Sequence, residues 1–216
     1  MSHHLLFVCA ANVCRSPLME LAFASLVAGA GEDDAWTLSS RGVSVVQAHR
    51  MCAIAAGLTE GTAAHASVAD HVSTQLTDVD VKAGDLVIAA SRDERAAIAR
   101  MVPASRTYTF TLKEAVSLGA LAFDPQERER VAANTADGLT LSAYAELLHQ
   151  RRGRVAVAPR GRANAPRLPW ASSDDPQDIP DVHHGSVRRH QKTLRSVRDL
   201  VGTLHEQTTR FLLAGG

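Results

Sequence analysis

Seven residues, Cys9 to Arg15, separate an unbroken apolar run, Leu5-Leu6-Phe7-Val8, from Ser16-Pro17 and an apolar-periodic stretch running from Leu18 to about Val27. The apolar run reads as a parallel strand buried on both faces. Proline at the first helical position, with Ser16 before it as N-cap, reads as a helix start. The loop between them therefore faces the positive end of a helix. Its backbone N–H groups, contributed by Ala10, Ala11, Asn12, Val13 and Cys14, form a site for a phosphate or a similar oxyanion. Cys9 sits at the base of that loop. The donors that hold a phosphate also stabilise a thiolate, and thiols at helix N-termini titrate at roughly 3.5–7.5. Arg15, six positions on, can offer two parallel N–H bonds to the equatorial oxygens of a phosphoryl group under in-line attack.

The rest of the chain alternates strand and helix. Trp36 to Ser40 reads as a second strand ending in Arg41-Gly42, Asp85 to Ser91 as a third and Arg106 to Phe110 as a fourth. Helical spacing covers Ala48 to about Leu58, where Cys52 is a packing residue, and Arg92 to Met101; Ala66 to Leu76 is more weakly helical or irregular. This order predicts one α/β domain over residues 1–216, a four-stranded parallel sheet with helices on both faces and the phosphate-binding loop after the first strand. Ligands of such sheets bind beyond the C-terminal ends of the strands, where Cys9, Ser40 and Ser91 all fall.

Composition excludes several classes of function. Formal net charge is zero and the pI is near 7.2, so nothing global calls for nucleic acid. No apolar run reaches the roughly 18 residues of a membrane span, and a cytoplasmic protein is expected. The chain has three cysteines, an odd number that argues for reduced thiols. Cys14 shares the loop with Cys9 and could trap an oxidised nucleophile as a reversible disulfide.

Between about residues 120 and 177 the pattern changes. Pro125 to Asn134 and Thr140 to Arg151 read as helices, the latter with Leu141, Tyr144, Leu147 and Leu148 on one face. Arg151 to Trp170 holds six arginines and no acid. It reads as a solvated loop, or alternatively as a lid or docking strip for an anionic partner. A long helix then runs to about Leu213.

Val8-Cys9-Ala10-Ala11-Asn12-Val13-Cys14-Arg15-Ser16-Pro17 resembles the signature of the low-molecular-weight protein tyrosine phosphatases of bacterial type. The resemblance covers about residues 4–118 and the last forty or so, with the Arg- and Pro-rich segment as an atypical insertion. It implies a hydrogen-bond network in which Asn12 and Ser16 join Ser40 and His71 to hold the loop open. It also implies the redox role for Cys14 and an acid loop before the last helix. Asp175-Pro176 matches that loop's dipeptide literally. Asp181, in Asp178-Ile179-Pro180-Asp181-Val182-His183-His184-Gly185, keeps its position relative to the helix and is the general acid expected here. Val182 stands where the family has proline, His183 and His184 where it has aromatics, and Ala11 where it has glycine. Ala11 predicts a slightly altered loop, since alanine tolerates a left-handed backbone poorly.

The resemblance thus implies a cysteine-dependent phosphomonoester hydrolase that passes through a phosphocysteine, with Cys9, Arg15 and Asp181 catalytic and no metal or cofactor. Its partners would be a phosphotyrosine-containing protein or an aryl phosphate, with inorganic phosphate as product. Val13 and His183 would line the substrate wall. In similar bacterial enzymes a threonine at the Val13 position accompanies phosphoarginine specificity and a branched aliphatic accompanies phosphotyrosine, so aryl phosphates are expected to be preferred. A non-catalytic phosphoresidue-binding module on the same fold is the alternative. An arsenate reductase would need relay cysteines, and residues 53–216 contain none.

Overall fold

The computed structural model describes residues 2–122, 124–127, 129, 139–154, 175–183 and 185–213. Four strands, β1 (His3–Cys9), β2 (Trp36–Gly42), β3 (Leu86–Ala89) and β4 (Thr109–Thr111), form one parallel sheet in the order β2-β1-β3-β4. The α/β class, the parallel sheet and its four strands agree with the sequence. Alternation along β1 divides the core. Leu5, Phe7 and Cys9 point into the larger apolar cluster, with α1 (Arg15–Ala30), α5 (Leu112–Gly119), α6 (Leu141–Gln150) and α7 (Val187–Leu213). Leu6 and Val8 face the smaller cluster, with Val81 of α3 (Asp78–Ala83) and Ile98 of α4 (Arg92–Met101). Burial on both faces is why β1 is a continuous apolar run rather than an alternating one. The chain leaves β1 towards β2 on one side and reaches β3 on the other, so the loop after β1 opens at a topological switch point.

Several boundaries differ from the sequence reading, each for a local reason. Helix α1 begins at Arg15 with Cys14 in the cap position and no side-chain cap, so Ser16 is not the N-cap. Its hydroxyl is buried and turned towards Cys9. Pro17 still fits, because N–H groups of a first turn have no intrahelical partner. The helix expected over Ala48–Leu58 is only α2 (Ala53–Gly57), capped by the Cys52 thiol. Upstream of it, backbone groups are drawn out of helical pairing: His49 exchanges hydrogen bonds with Ser73, and the Cys52 N–H donates to Val13 O at 2.9 Å. Of the two readings of Ala66–Leu76, helical or irregular, the irregular one holds: a 3₁₀ segment covers Ala63–Val68, and Val72 and Gln75 make isolated bridges to Arg50 and Gly42. Helix α3, unforeseen, is started by a Thr77–Asp80 capping box. The expected strand Arg106–Phe110 is shifted to Thr109–Thr111 behind a 3₁₀ turn over Pro103–Thr107.

In the atypical segment, residues 125–127 and 129 are helical, and the remainder of the helix expected to Asn134 lies outside the described residues. Helix α6 follows, with Thr140 as N-cap and Leu141, Tyr144, Leu147 and Leu148 buried as expected. The first three arginines of the basic run all have protein partners, and only the first is fully buried. Fully buried Arg151 pairs with Glu127 at 2.9 Å and donates to the Leu118, Leu121 and Ala122 carbonyls. Arg152 lies over the Phe110 ring, 4.1 Å from its centroid, and Arg154 pairs with Glu127. The rest of the run, residues 155–170, is outside the described residues.

Candidate active site

The seven-residue loop is fixed by its carbonyls. Val43 N–H donates to Cys9 O (3.0 Å), Ser44 N–H to Ala10 O (2.9 Å), the His71 Nε2 side to Asn12 O (2.9 Å), Cys52 N–H to Val13 O (2.9 Å) and Leu18 N–H to Cys14 O (3.2 Å). In a planar trans peptide the N–H points opposite the carbonyl. The amides of Ala10, Ala11, Val13, Cys14 and Arg15 therefore turn inward, towards the place a phosphate would take. Gly42 makes this possible: a Cβ there would lie 2.8 Å from Ala10 O and 3.0 Å from the Ala11 carbonyl carbon.

Asn12 is the keystone. It alone among described non-glycine residues has positive φ, at 55°, a region asparagine enters more readily than most. The left-handed position thus falls on Asn12 and not on Ala11, so the Ala11-for-glycine difference does not strain the loop there. Its Nδ2 donates to Ser16 Oγ and Ser40 Oγ, both at 2.9 Å, and its Oδ1 accepts from Thr74 N–H at 2.9 Å. Asn12, Ser16, Ser40 and His71 therefore meet in one network. Glu20 joins it through Ser40, its carboxyl pushed up by burial. Cys9 Sγ lies 3.1 Å from Ser16 Oγ and accepts from the Asn12 N–H at 3.3 Å.

Arg15 is buried, with Nη2 bonded to Asp181 Oδ2 at 2.8 Å, Nη1 donating to Ile179 O at 3.1 Å, and Glu94 at 3.3 Å. Burial alone would lower the guanidinium's pKa; Cys9, Glu94 and Asp181 around it outweigh that and raise it. Glu94 was invisible in the sequence, where it reads as an acid in the first turn of α4. It is held by Ser91, the cap of that helix.

The acid segment is docked on the same sheet edge. Asp175 is paired with Arg92 and buried. Asp178 Oδ1 accepts the Arg92 N–H at 2.8 Å, and Ile179 N–H donates to Ala90 O at 2.9 Å. Asp181 instead faces Arg15, its side chain 54% exposed. Cys9, Ala11, Val13, Cys14, Arg15, Asp181 and His183 line one cavity of about 360 Å³, ample for a phosphorylated side chain. His184 lies outside the described residues. A larger cavity, 450 Å³, lies among Arg92, Arg95, Arg106 and Arg152, and no cysteine lines it.

Cys14 is turned along the cavity wall, 3.1 Å from His183 Nδ1 and beside Cys52. The two thiols share a hydrogen bond that pulls Cys52 down to about 6, aided by the Ala55 N–H, and pushes Cys14 up. Cys52 is therefore more than the packing residue its sequence position suggested.

Among the described residues no helix is long and apolar enough to cross a membrane. A family model described as low molecular weight phosphotyrosine protein phosphatase matches residues 4–123. The protein-arginine-phosphatase of Bacillus subtilis (strain 168) is 30% identical over 113 residues, 52% of this chain and 72% of that protein. A YwlE mutant from Bacillus subtilis superposes with a TM-score of 0.60 at 21% identity, covering 96% of this chain and 99% of the other. The low molecular weight protein tyrosine phosphatase from T. tengcongensis also gives 0.60 at 21% identity, covering 95% and 99%. On this match and this fold, the chain belongs to the low molecular weight phosphotyrosine protein phosphatase family and is a cysteine-based phosphatase, a hydrolase of that class.

Proposed function

We propose that this chain is a cytoplasmic protein-tyrosine phosphatase in which Cys9, Arg15 and Asp181 carry the reaction, within one domain over residues 1–216 interrupted by an insertion at about 120–177. Cys9 Sγ attacks phosphorus in line, and the loop amides with the Arg15 fork hold the equatorial oxygens. Asp181 gives its proton to the leaving oxygen. The same carboxylate then takes a proton from water, which cleaves the phosphocysteine and releases inorganic phosphate. Ser16 Oγ, 3.1 Å from Cys9 Sγ, stabilises the departing thiolate. Cys14 guards the nucleophile against overoxidation.

One observation carries this reading: the carboxylate of Asp181 lies 2.8 Å from the guanidinium that would bind the phosphoryl group, over the loop that holds the thiol. An entering phosphate competes for Arg15 and releases Asp181 next to the leaving oxygen. Val13 and His183 on the wall favour an aryl leaving group, whereas the 30% identical relative is named for arginine phosphate. The test is steady-state kinetics on phosphotyrosine and phosphoarginine peptides. A higher kcat/KM for phosphotyrosine is expected, and a higher value for phosphoarginine overturns the substrate assignment. Cys9→Ser should lower turnover by about 10⁴-fold or more while still binding phosphate. Parent-like turnover by that variant would sink the mechanism, and phosphate binding without turnover by the parent would leave an anion-binding module.

A further inference from the structure

Four side chains from four separate places converge beside the nucleophile. Cys14 comes from the phosphate loop, Cys52 from the cap of α2, His183 from the acid segment and His190 from the first turns of α7. One donor atom from each lies within 4.8 Å of all the others. Cys14 Sγ is 3.1 Å from His183 Nδ1, and the two imidazole rings stand nearly perpendicular, 86° apart, with centroids separated by 5.5 Å. We propose that Cys14, Cys52, His183 and His190 form a zinc site on the wall of the catalytic cavity, and that filling it shuts the phosphatase off.

The donor set and the spacing both point to zinc. Two thiols and two imidazoles make the tetrahedral Cys₂His₂ set, and the absence of a carboxylate among the four disfavours magnesium and calcium. Bonds of about 2.3 Å to sulfur and 2.0–2.1 Å to nitrogen set tetrahedral edges of roughly 3.3–3.8 Å. Donors already within 4.8 Å need to close by only about an ångström. Cys14 and His190 are buried, which orients them, while His183 is exposed and leaves the ion a way in. The Ala55 N–H, donating to Cys52 Sγ at 3.4 Å, supplies the outer hydrogen bond that orients a thiolate ligand. On binding, the S–H protons that the two thiols still hold leave to solvent, and each sulfur and each ring nitrogen donates one lone pair to the ion.

The consequence for activity follows from position. Cys14, His183 and His190 line the same cavity as Cys9 and Asp181. An ion bridging them ties His183, two residues beyond the acid, to the loop and to α7. Asp181 then cannot follow the leaving oxygen, and the cavity wall moves inward.

The experiment uses reduced, chelator-stripped full-length protein titrated with Zn²⁺ and with Co²⁺ as a spectroscopic stand-in. One equivalent should bind per chain, with thiolate-to-cobalt charge-transfer bands, and hydrolysis of an aryl phosphate should fall at the same midpoint and return on chelation. Cys52→Ser and His190→Gln, each checked for folding by circular dichroism, should weaken binding at least about tenfold. The site is overturned if both folded variants bind as the parent does, if the charge-transfer bands vanish only in Cys9→Ser, or if no stoichiometric binding occurs. Unchanged hydrolysis by the loaded protein overturns the shut-off. The shut-off rests on the hydrolase reading; stoichiometry and spectrum do not, so failure of one is distinguishable from failure of the other.

Discussion

The phosphate loop and the acid segment face one cavity but are held in opposite ways. In the loop, five carbonyls are tied to partners outside the cavity, and Asn12 spends every polar atom on the same end. The acid segment is anchored to the scaffold at its start, through Asp175, Asp178 and Ile179, and beyond Pro180 it meets the loop through side chains alone, the half-exposed Asp181 on Arg15 and His183 on Cys14. The difference suits the two tasks proposed for them. Donors aimed at developing charge act best when they need no reorganisation, whereas a proton donor must follow a leaving oxygen that varies between substrates.

The largest effect that would sharpen this contrast lies in the acid segment. Asp181→Asn removes the proton while keeping the shape of the side chain. Hydrolysis of phenyl phosphate or phosphotyrosine should fall by roughly 10²–10⁴-fold, and that of a highly activated aryl phosphate far less, because a stable leaving anion needs no acid. Asp175 is paired with Arg92 and turned from the cavity. Asp175→Asn should therefore give a small loss that is the same for every leaving group. Leaving-group dependence in Asp175→Asn and not in Asp181→Asn would exchange their roles.

The next effect attacks the rigid side. At Gly42 an added Cβ meets Ala10 O at 2.8 Å and the Ala11 carbonyl carbon at 3.0 Å, both backbone atoms of the loop and unable to swing aside. Gly42→Ala should push the loop by a few tenths of an ångström to an ångström. Misplacement on that scale costs up to about 10²-fold. The loss should appear equally with good and poor leaving groups, and phosphate binding should weaken with it. If Gly42→Ala retains full activity, the loop tolerates displacement and the contrast with the acid segment disappears.

What could be read from the sequence followed the range of the interactions. Strand β1, its loop and α1 are contiguous, so Cys9, Asn12 and Arg15 were legible together, and the alternation of strands with helices gave the sheet. Ser40 carries only its place near a strand end and His71 no local signal, so their part in the network depended on the resemblance. Gly42, Thr74 and Cys52 act on the loop through their backbone from 31 to 62 positions away, and Gly42 looks in sequence like an ordinary strand end. The short α2 shows the same limit: helical spacing from Ala48 lost to hydrogen bonds that His49 and Cys52 make elsewhere. In the acid segment, proline after Asp175 was a literal match, but Arg92 claims that carboxylate and leaves the cavity to Asp181.

The smallest effect tests what joins the two regions. Glu94, buried on α4, sits 3.3 Å from Arg15, which also bonds Asp181. Its position was hidden because Ser91-Arg92-Asp93-Glu94 has the spacing of a helix cap, and Ser91 does cap α4 while its hydroxyl also bonds the Glu94 carboxylate. Glu94→Gln keeps the shape and a hydrogen-bond acceptor but removes one of the two carboxylates that balance Arg15. The guanidinium then leans more heavily on Asp181, so the acid is released less readily when phosphate arrives. Stability should fall by about 1.5–3 kcal/mol, the worth of a hydrogen bond to a charged group, visible as a lower denaturation midpoint. The barrier should rise by less than about 1.4 kcal/mol, a loss of under tenfold. That loss should be greater for poor leaving groups than for activated ones, since it acts through the acid. A loss equal across leaving groups would mean that Glu94 merely positions Arg15, and that the rigid and movable halves of the site are set independently.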